Sequence, residues 1–459
     1  MKYDFIIIGC GISALYLLYL LQKHNLKVCI LEKKPFIGGR IQSLDIHGKI
    51  IDSGALRFNK NHKYLLKLLE IVGVEDYKHL TSKKNVKLPK KLEEKFKQFI
   101  KKEKNNLAPF SSVAKQFFTF DEYNLLKLWF GYQEEWKNSQ CAHLCSNLLE
   151  NYDANEYFYF PEGYSQIPQK LYEIVKKNPN YYFHLGEKVM KISHPNNIYT
   201  LSGKHFTADK IIFACPPHYI KNIQGTEIIT PILESVGSDT LNRMYALFPK
   251  QSWFPKNVIH SGSPINQIVP IDEELIMISY SSGKDAMFWI EQEQAGKLWP
   301  TLQKELETIF GKKIEKPKWI KQNYWNPATH YFVDGIDSKK AEEESWNPHE
   351  NWHIIGEAYS RDQGWVNGAL QNAEDFYNRW KKNKWGKEKE FTIKEVKKNN
   401  WMVLFGGVYN VDKWIKIHPG GDVIRFGLGK DATTIFQNVG HSKDALQFMA
   451  KYKIGVLAQ

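Results

Sequence analysis

Tyr3 to Ile8 is a short, mostly apolar run, and Gly9-Cys10-Gly11-Ile12-Ser13-Ala14 follows it at once. A buried parallel strand that breaks into a glycine turn and then a helix is the start of a βαβ unit, and it commits the chain to an α/β architecture. Gly9 permits the tight turn and Gly11 lets the backbone approach a pyrophosphate. Small Ala14 lets a helix, read over Ala14 to His24, pack on the strand, with its N-terminus and Ser13 toward the phosphates. Lys27 to Leu31 reads as the second strand. Glu32 at its end stands twenty-one residues after Gly11, where a carboxylate accepts hydrogen bonds from both hydroxyls of a ribose.

Lys33-Lys34-Pro35-Phe36-Ile37-Gly38-Gly39-Arg40-Ile41 comes next. Two glycines and a guanidinium, Gly39 and Arg40 among them, suit a second pass along the same diphosphate, because arginine offers fixed, bidentate donors to oxygen anions. On these residues the sequence resembles the flavin-dependent amine oxidoreductases, the monoamine oxidase and L-amino-acid oxidase superfamily. The resemblance continues in order to about residue 380. Asp52-Ser53-Gly54-Ala55-Leu56-Arg57-Phe58 is similar to the family's flavin-contacting turn, and Pro161 to Pro168 to its P-x-G-x-x-x-(I/L)-P segment. Lys188 to Ile192 is similar to the strand whose valine, here Val189, reaches the adenine, and Ala208 to Pro217 to the strand that returns to the nucleotide domain. Ile354-Ile355-Gly356-Glu357 and Gly364-Trp365-Val366-Asn367-Gly368-Ala369-Leu370 match the closing flavin motif, where a helix N-terminus presents N–H groups to the flavin.

The resemblance implies FAD, with Gly54, Ala55, Leu56, Gly356, Glu357, Gly364, Val366 and Ala369 among its contacts. It also implies hydride transfer to the flavin from a carbon bearing nitrogen. The flavin is expected without a thioether link, because no cysteine follows Cys215. Trp365 falls where the family puts an aromatic residue over the substrate side of the flavin, and His330 and Tyr331 fall near the opposing wall. Arg243, ten residues before Trp253, falls where the family usually places a lysine that holds a water against the flavin. A guanidinium stays protonated and presents a fork instead of a movable point charge, which sets oxygen activation in question; a structural arginine at a strand edge is the other reading. Arg57 also has two readings, a clamp for a substrate carboxylate, as in similar enzymes acting on amino acids, or a contact to the FAD phosphates.

Phe391 to Leu457 reads as a separate unit, with a helix over Ile393 to Asn399, strands over Trp401 to Phe405 and Val408 to Val411, and short helices after them. Within it, Ile417-His418-Pro419-Gly420-Gly421 and Asn438-Val439-Gly440-His441-Ser442 closely resemble cytochrome b5. The resemblance implies a b-type haem whose iron is ligated by His418 and His441. With both axial positions filled, such a haem is suited to outer-sphere electron transfer. The interval between the histidines is 23 residues, one shorter than the common animal form. From Asn399 onward the unit carries seven Lys/Arg against four Asp, so a partner that reads an acidic face does not find one.

The expected organisation is a Rossmann-like FAD-binding domain over residues 1–82, 158–235 and 350–380 with an inserted α+β substrate domain over 83–157 and 236–349. A linker at 381–390 and a small α+β cytochrome b5-like domain at 391–459 complete it. The net charge of +13 resides in two segments, Lys83 to Lys104 at +7 and Arg379 to Lys398 at +6. Both read as solvated helix faces or linkers without interleaved aromatics, which disfavours nucleic acid and leaves weak attraction to acidic surfaces. Five cysteines without a CxxC pair, and no apolar run approaching roughly 18 to 20 residues, give the expectation of a soluble protein in a reducing, cytoplasmic compartment.

The expected activity is oxidation of a small amine or amino acid by FAD, with electrons passed to the tethered haem and on to oxygen or a redox protein. Three alternatives stand beside it: an oxidase releasing peroxide, a desaturase or porphyrinogen-type oxidase, and a non-enzymatic packaged redox protein.

Overall fold

Strand Lys2–Ile8 runs through the middle of the larger sheet, with Val28–Glu32 parallel on one side and His205–Phe213 parallel on the other. Ile8 lies opposite Leu31 and Phe213, so three strand ends open side by side. Tyr181–Leu185 and Trp352–Ile354 extend the parallel part, and antiparallel Asn197–Thr200 and Val189–Ser193 complete seven strands. Successive side chains of a strand point to opposite faces, and both faces here are covered. Phe5 and Ile7 pack with Leu15, Leu18 and Leu370 of helices Ile12–Leu21 and Val366–Lys381, while Ile6 and Ile8 pack with Ile211, Phe213 and Tyr359. Each fully buried Ile or Leu contributes about 1.5–3 kcal/mol, which makes this sheet the stable platform on which the site is built. The first helix begins two residues ahead of the sequence reading, with Gly11 extended at its cap.

The structure is a computed structural model and describes residues 2–81, 84–151, 156–193, 196–251, 253–382, 390–441, 445, 449 and 452–458. Residues 383–389 of the connector and Ser442 of the second histidine segment lie outside the described residues.

A second, five-stranded antiparallel sheet has Val236–Leu247 between Leu275–Ser282 and Trp319–Phe332. Helices from Lys90–Lys102 to Cys141–Asn151 pack beside it. Lys90–Lys102 buries Leu92, Phe96, Phe99 and Ile100 on one stripe, so most of its lysines do form a solvated face.

In the C-terminal unit, helix Ile393–Lys398 is started by a capping box between Thr392 and Glu395. Its sheet runs Glu390–Phe391, Lys453–Leu457, Gly407–Tyr409, Met402–Leu404, around cores that include Leu404, Tyr409 and Val411 on one side and Val396 and Val403 on the other. It touches the larger unit where His349 Nε2 meets the Phe405 carbonyl oxygen at 3.1 Å. Among the described residues, no helix is long and apolar enough to cross a membrane.

Candidate functional site

A cavity of about 820 Å³ starts at the open strand ends and reaches Trp325 and Trp365. Gly9 has φ +104°, and a Cβ there would stand 2.7 Å from the Ala214 carbonyl oxygen, so only glycine turns the chain here. A Cβ on Gly11 would meet nothing within 4 Å, because Gly11 faces the open cavity. Gly38 bridges to Gly11, which lays the two glycine segments side by side along one groove. Glu32 is buried, and its carboxylate accepts the N–H groups of Cys10 and Lys34, both at 2.8 Å. Backbone amides, open glycines and a fixed acid suit a dinucleotide with a ribose on the acid. Ser13, Gly39, Arg40, Gly54, Ala55, Val189, Gly356, Val366 and Ala369 line the same cavity. Ala14, Leu56 and Arg57 do not. Ala14 is fully buried in the helix–sheet core, and Leu56 and Arg57 line the neighbouring cavity, so the phosphate reading of Arg57 is not supported.

Glu357 ties the far wall together. Its carboxylate accepts from the Gly364 N–H at 2.7 Å, from His330 Nδ1 at 2.8 Å and from Arg40 Nη1 at 3.0 Å. Arg40 also donates to the Ala328 carbonyl oxygen. Burial works to raise the Glu357 pKa, but the His330 and Arg40 charges and the hydrogen bonds from His330 and Gly364 outweigh it and hold the carboxylate well below its ordinary range. A folded-state value below the unfolded one gives stability that is complete above the unfolded value of about 4.3 and is lost as pH falls through and below it. Glu357→Gln is therefore expected to lower stability at pH 7 by about 1–3 kcal/mol and to flatten the acid limb of a melting-temperature curve. An acid limb identical to that of the unsubstituted protein would contradict this role.

A second cavity, of about 1060 Å³, adjoins the first and shares Ala55, Arg243, Tyr280, Thr329, Gly364 and Trp365 with it. Trp365, extended at the cap of helix Val366–Lys381, lies parallel to Tyr157 with ring centres 6.1 Å apart and planes 4° from parallel. An inserted group needs about 7 Å between planes, so the pair presents one aromatic surface and not two jaws. The Arg57 guanidinium lies 4.5 Å from the Tyr157 centroid, 5.8 Å from Tyr132 and 6.0 Å from Trp365. The rings in contact with Trp365 are His62, edge-on at 4.7 Å, and Tyr157, neither of them marked in the sequence. His330 is drawn into the Glu357 network, and Tyr331 lies over Gly237, which leaves no room for a Cβ; both still line the cavity.

Arg243 is not at a strand edge. It is buried in the strand Val236–Leu247, which has a neighbour on each side, at the boundary of the two cavities. Its guanidinium donates to the Gly54 carbonyl oxygen and stands 5.0 Å from the Tyr280 ring centre, fixing the Gly54–Ala55 turn.

Several residues on this cavity had no signal in the sequence reading. Besides Tyr157 they include Lys84, Glu135 and Asp239. Lys84 donates to the Trp129 carbonyl oxygen at 2.8 Å; burial, and then the Arg57 charge, lowers its pKa to about 7. Burial and the Asp239 charge push Glu135 up to about 7, and burial and Glu134 push Asp239 up to about 6.

In the C-terminal unit the rings of His418 and His441 face each other with centroids 6.2 Å apart. Two imidazoles that each place a nitrogen about 2 Å from one metal have ring centres about 6 Å apart. His418 Nδ1 contacts the Gly421 carbonyl oxygen at 3.2 Å and His441 Nδ1 that of Phe436 at 3.0 Å, which leaves Nε2 of each for a metal. Phe436 stacks on His441 at 4.1 Å. Ile417, Val423, Phe426 and Val439 are each more than half exposed, an apolar rim that suits a porphyrin.

The model of the family described as flavin containing amine oxidoreductase matches residues 87–375. The chain belongs to this family. The NAD(P)-binding Rossmann-like domain model matches residues 7–71, and the cytochrome b5-like heme/steroid binding domain model matches residues 387–458. Curated relatives match the latter region: cytochrome b5 isoform B of Arabidopsis thaliana is 47% identical over 73 residues, 15% of this chain and 54% of that protein. Cytochrome b5 of Musca domestica is 45% identical over 75 residues, 15% of this chain and 56% of that protein. The chain spans about half the length of these relatives. Among solved structures, a putrescine oxidase with putrescine bound superposes with a TM-score of 0.69 at 14% identity, covering 83% of this chain and 99% of that one. A doubly substituted putrescine oxidase, redesigned in cofactor binding, gives 0.69 at 14% over 82% and 98%. This likeness fixes the shared fold. Membership of the flavin containing amine oxidoreductases goes with FAD, and the cytochrome b5-like domain with haem.

Proposed function

We propose that this chain oxidises an amino acid at its flavin and passes the electrons to the haem of its own C-terminal unit. The observation that carries the amino-acid reading is the place of Arg57, outside the cofactor cradle and against Tyr157 and Trp365 in the adjoining cavity. A planar guanidinium with its donors in a cavity is a bidentate receptor for a carboxylate. Bound FAD supplies the acceptor for a hydride from the substrate carbon, and bound haem supplies a one-electron carrier.

The chain's own residues do the rest. The groove from Gly9 to Gly39 with Glu32 holds the dinucleotide without a covalent link, and Arg243 and the Glu357 network fix the turns on either side of it. Arg57 orients the substrate, while Trp365 and Tyr157 exclude water from its reacting carbon. His418 and His441 hold the haem. The short connector and the His349–Phe405 contact keep the two units close, which raises the effective concentration of one redox site at the other.

Anaerobic mixing of the holoprotein with a panel of amino acids and simple amines, followed at the flavin and haem bands together, tests this. Bleaching of the flavin by amino acids, then reduction of the haem, is expected. A flavin that bleaches while the haem stays oxidised would overturn the internal transfer and favour an oxidase that releases peroxide.

A further inference from the structure

The cavity beside the flavin cradle has walls of opposite charge. Arg57 lies on the aromatic surface, and Glu135 and Asp239 face the same space. Among the described residues, Asp239 accepts one side-chain hydrogen bond, from Asn138 Nδ2 at 3.1 Å, and Asn138 in turn reaches Glu134 at 3.2 Å. Among the described residues, no side chain donates a hydrogen bond to the Glu135 carboxylate, and no cation pairs with it within ion-pair distance. Gln363 adds an independent sign of a missing donor. It is 7% exposed and lines the cavity; its Nε2 is committed to the Ala358 carbonyl oxygen at 2.6 Å, which fixes the orientation of the amide, and its Oε1 has no partner. A buried acceptor left unmade is costly, and its natural complement is a ligand that donates. The nearby lysines do not fill this role: Lys84 is committed to Trp129, and Lys137 pairs with Glu134 at 3.6 Å from an exposed position.

We infer that the substrate is an amino acid whose side chain ends in a cation, an ammonium or guanidinium received by Glu135, Asp239 and the Gln363 carbonyl while Arg57 takes the α-carboxylate. The inference rests on the amino-acid reading above and goes beyond it by naming the side chain. The raised pKa values of Glu135 and Asp239 fit such a site, since burial and a neighbouring carboxylate outweigh the Arg57 charge at Glu135 and the Asn138 hydrogen bond and Lys137 charge at Asp239, so that a further cation is favoured. The two acids come from helix Gln133–Asn138 and strand Val236–Leu247, so the recognition joins two parts of the inserted domain.

Binding can be read apart from turnover with α-methyl amino acids, which have no α-hydrogen to give. Calorimetric titration of the oxidised holoprotein is expected to find α-methylornithine bound at least tenfold more tightly than α-methylnorvaline, its neutral counterpart. The Glu135→Gln, Asp239→Asn double variant, with its flavin spectrum retained as the check on folding, is expected to bind the two alike. Equal binding by the unsubstituted protein, or a preference that survives the double substitution, overturns the inference. Flavin reduction by ornithine, lysine and arginine then separates this result from the parent reading. Bleaching by neutral amino acids alone leaves the amino-acid reading standing and sinks the cation site. Bleaching by the diamine putrescine but by no amino acid sinks the carboxylate role of Arg57 and keeps the cation site.

Discussion

His441→Ala is expected to remove the haem absorption of the purified protein and leave the flavin spectrum in place, and His418→Ala to do the same. The two rings come from separate short elements, His418 beyond helix Asp412–Ile415 and His441 beyond Thr433–Asn438, and each is aimed by a hydrogen bond to a backbone carbonyl. Loss of a partner behind a metal ligand commonly costs 10–100-fold in affinity, so loss of the ligand itself costs more than that. The unit is small, and much of its apolar surface, Phe426 and Val439 among it, is exposed until a porphyrin covers it. Haem bound only by the folded state therefore stabilises this unit, and the variants are also expected to lose its thermal transition to lower temperature. Neither histidine lines the flavin cavity, which is why the flavin band serves as the internal control. A haem spectrum that survives either substitution unchanged would remove the ligand assignment.

What the sequence made legible, and what it did not, follows the reach of the interactions. The strand, the glycine turn and the acid at Glu32 are local, and their backbone geometry is nearly dictated by residue type; the same holds for the two histidine turns. The haem pair was readable for a further reason, since Pro419, Gly420 and Gly421 after His418 and Gly440 before His441 leave each turn few conformations. The substrate wall is different. Tyr157 reaches Trp365 across more than two hundred positions of sequence, and nothing in its own short strand, Tyr157–Tyr159, marks it. Lys84 belongs to a run of lysines whose net charge reads as solvent-facing, and only its contact with Trp129 takes it out of that average. Arg243 was found by its spacing from Trp253, yet whether it stood at an edge or between two strands depended on a sheet assembled from distant segments. Arg57 carries two readings in the sequence because only the assembled fold shows which of two adjoining cavities it lines.

Arg57→Ala is expected to lower kcat/KM for amino acids by about 10²–10³-fold, the equivalent of truncating one partner of a buried, hydrogen-bonded charge pair. The loss concerns the α-carboxylate alone, so the decarboxylated amine with the same side chain should lose far less, and the ratio between the two substrates is the measurement that isolates the contact. Arg57→Lys should recover only part of the difference, because a point charge does not reproduce the two parallel donors of a guanidinium. Lys84 adds a pH signature. Its pKa is lowered to about 7 by burial first and by the Arg57 charge second, so removal of Arg57 lets it rise and hold its proton to higher pH. The variant then keeps a residual cation in the cavity at neutral pH that the unsubstituted protein holds only in part. Residual amino-acid turnover in Arg57→Ala should accordingly fall as pH rises through the new Lys84 value, and Lys84→Met in the same background should abolish that fall. An equal loss for the amino acid and its decarboxylated amine would show instead that Arg57 supports the aromatic surface of Tyr157 and Trp365 and does not bind the carboxylate.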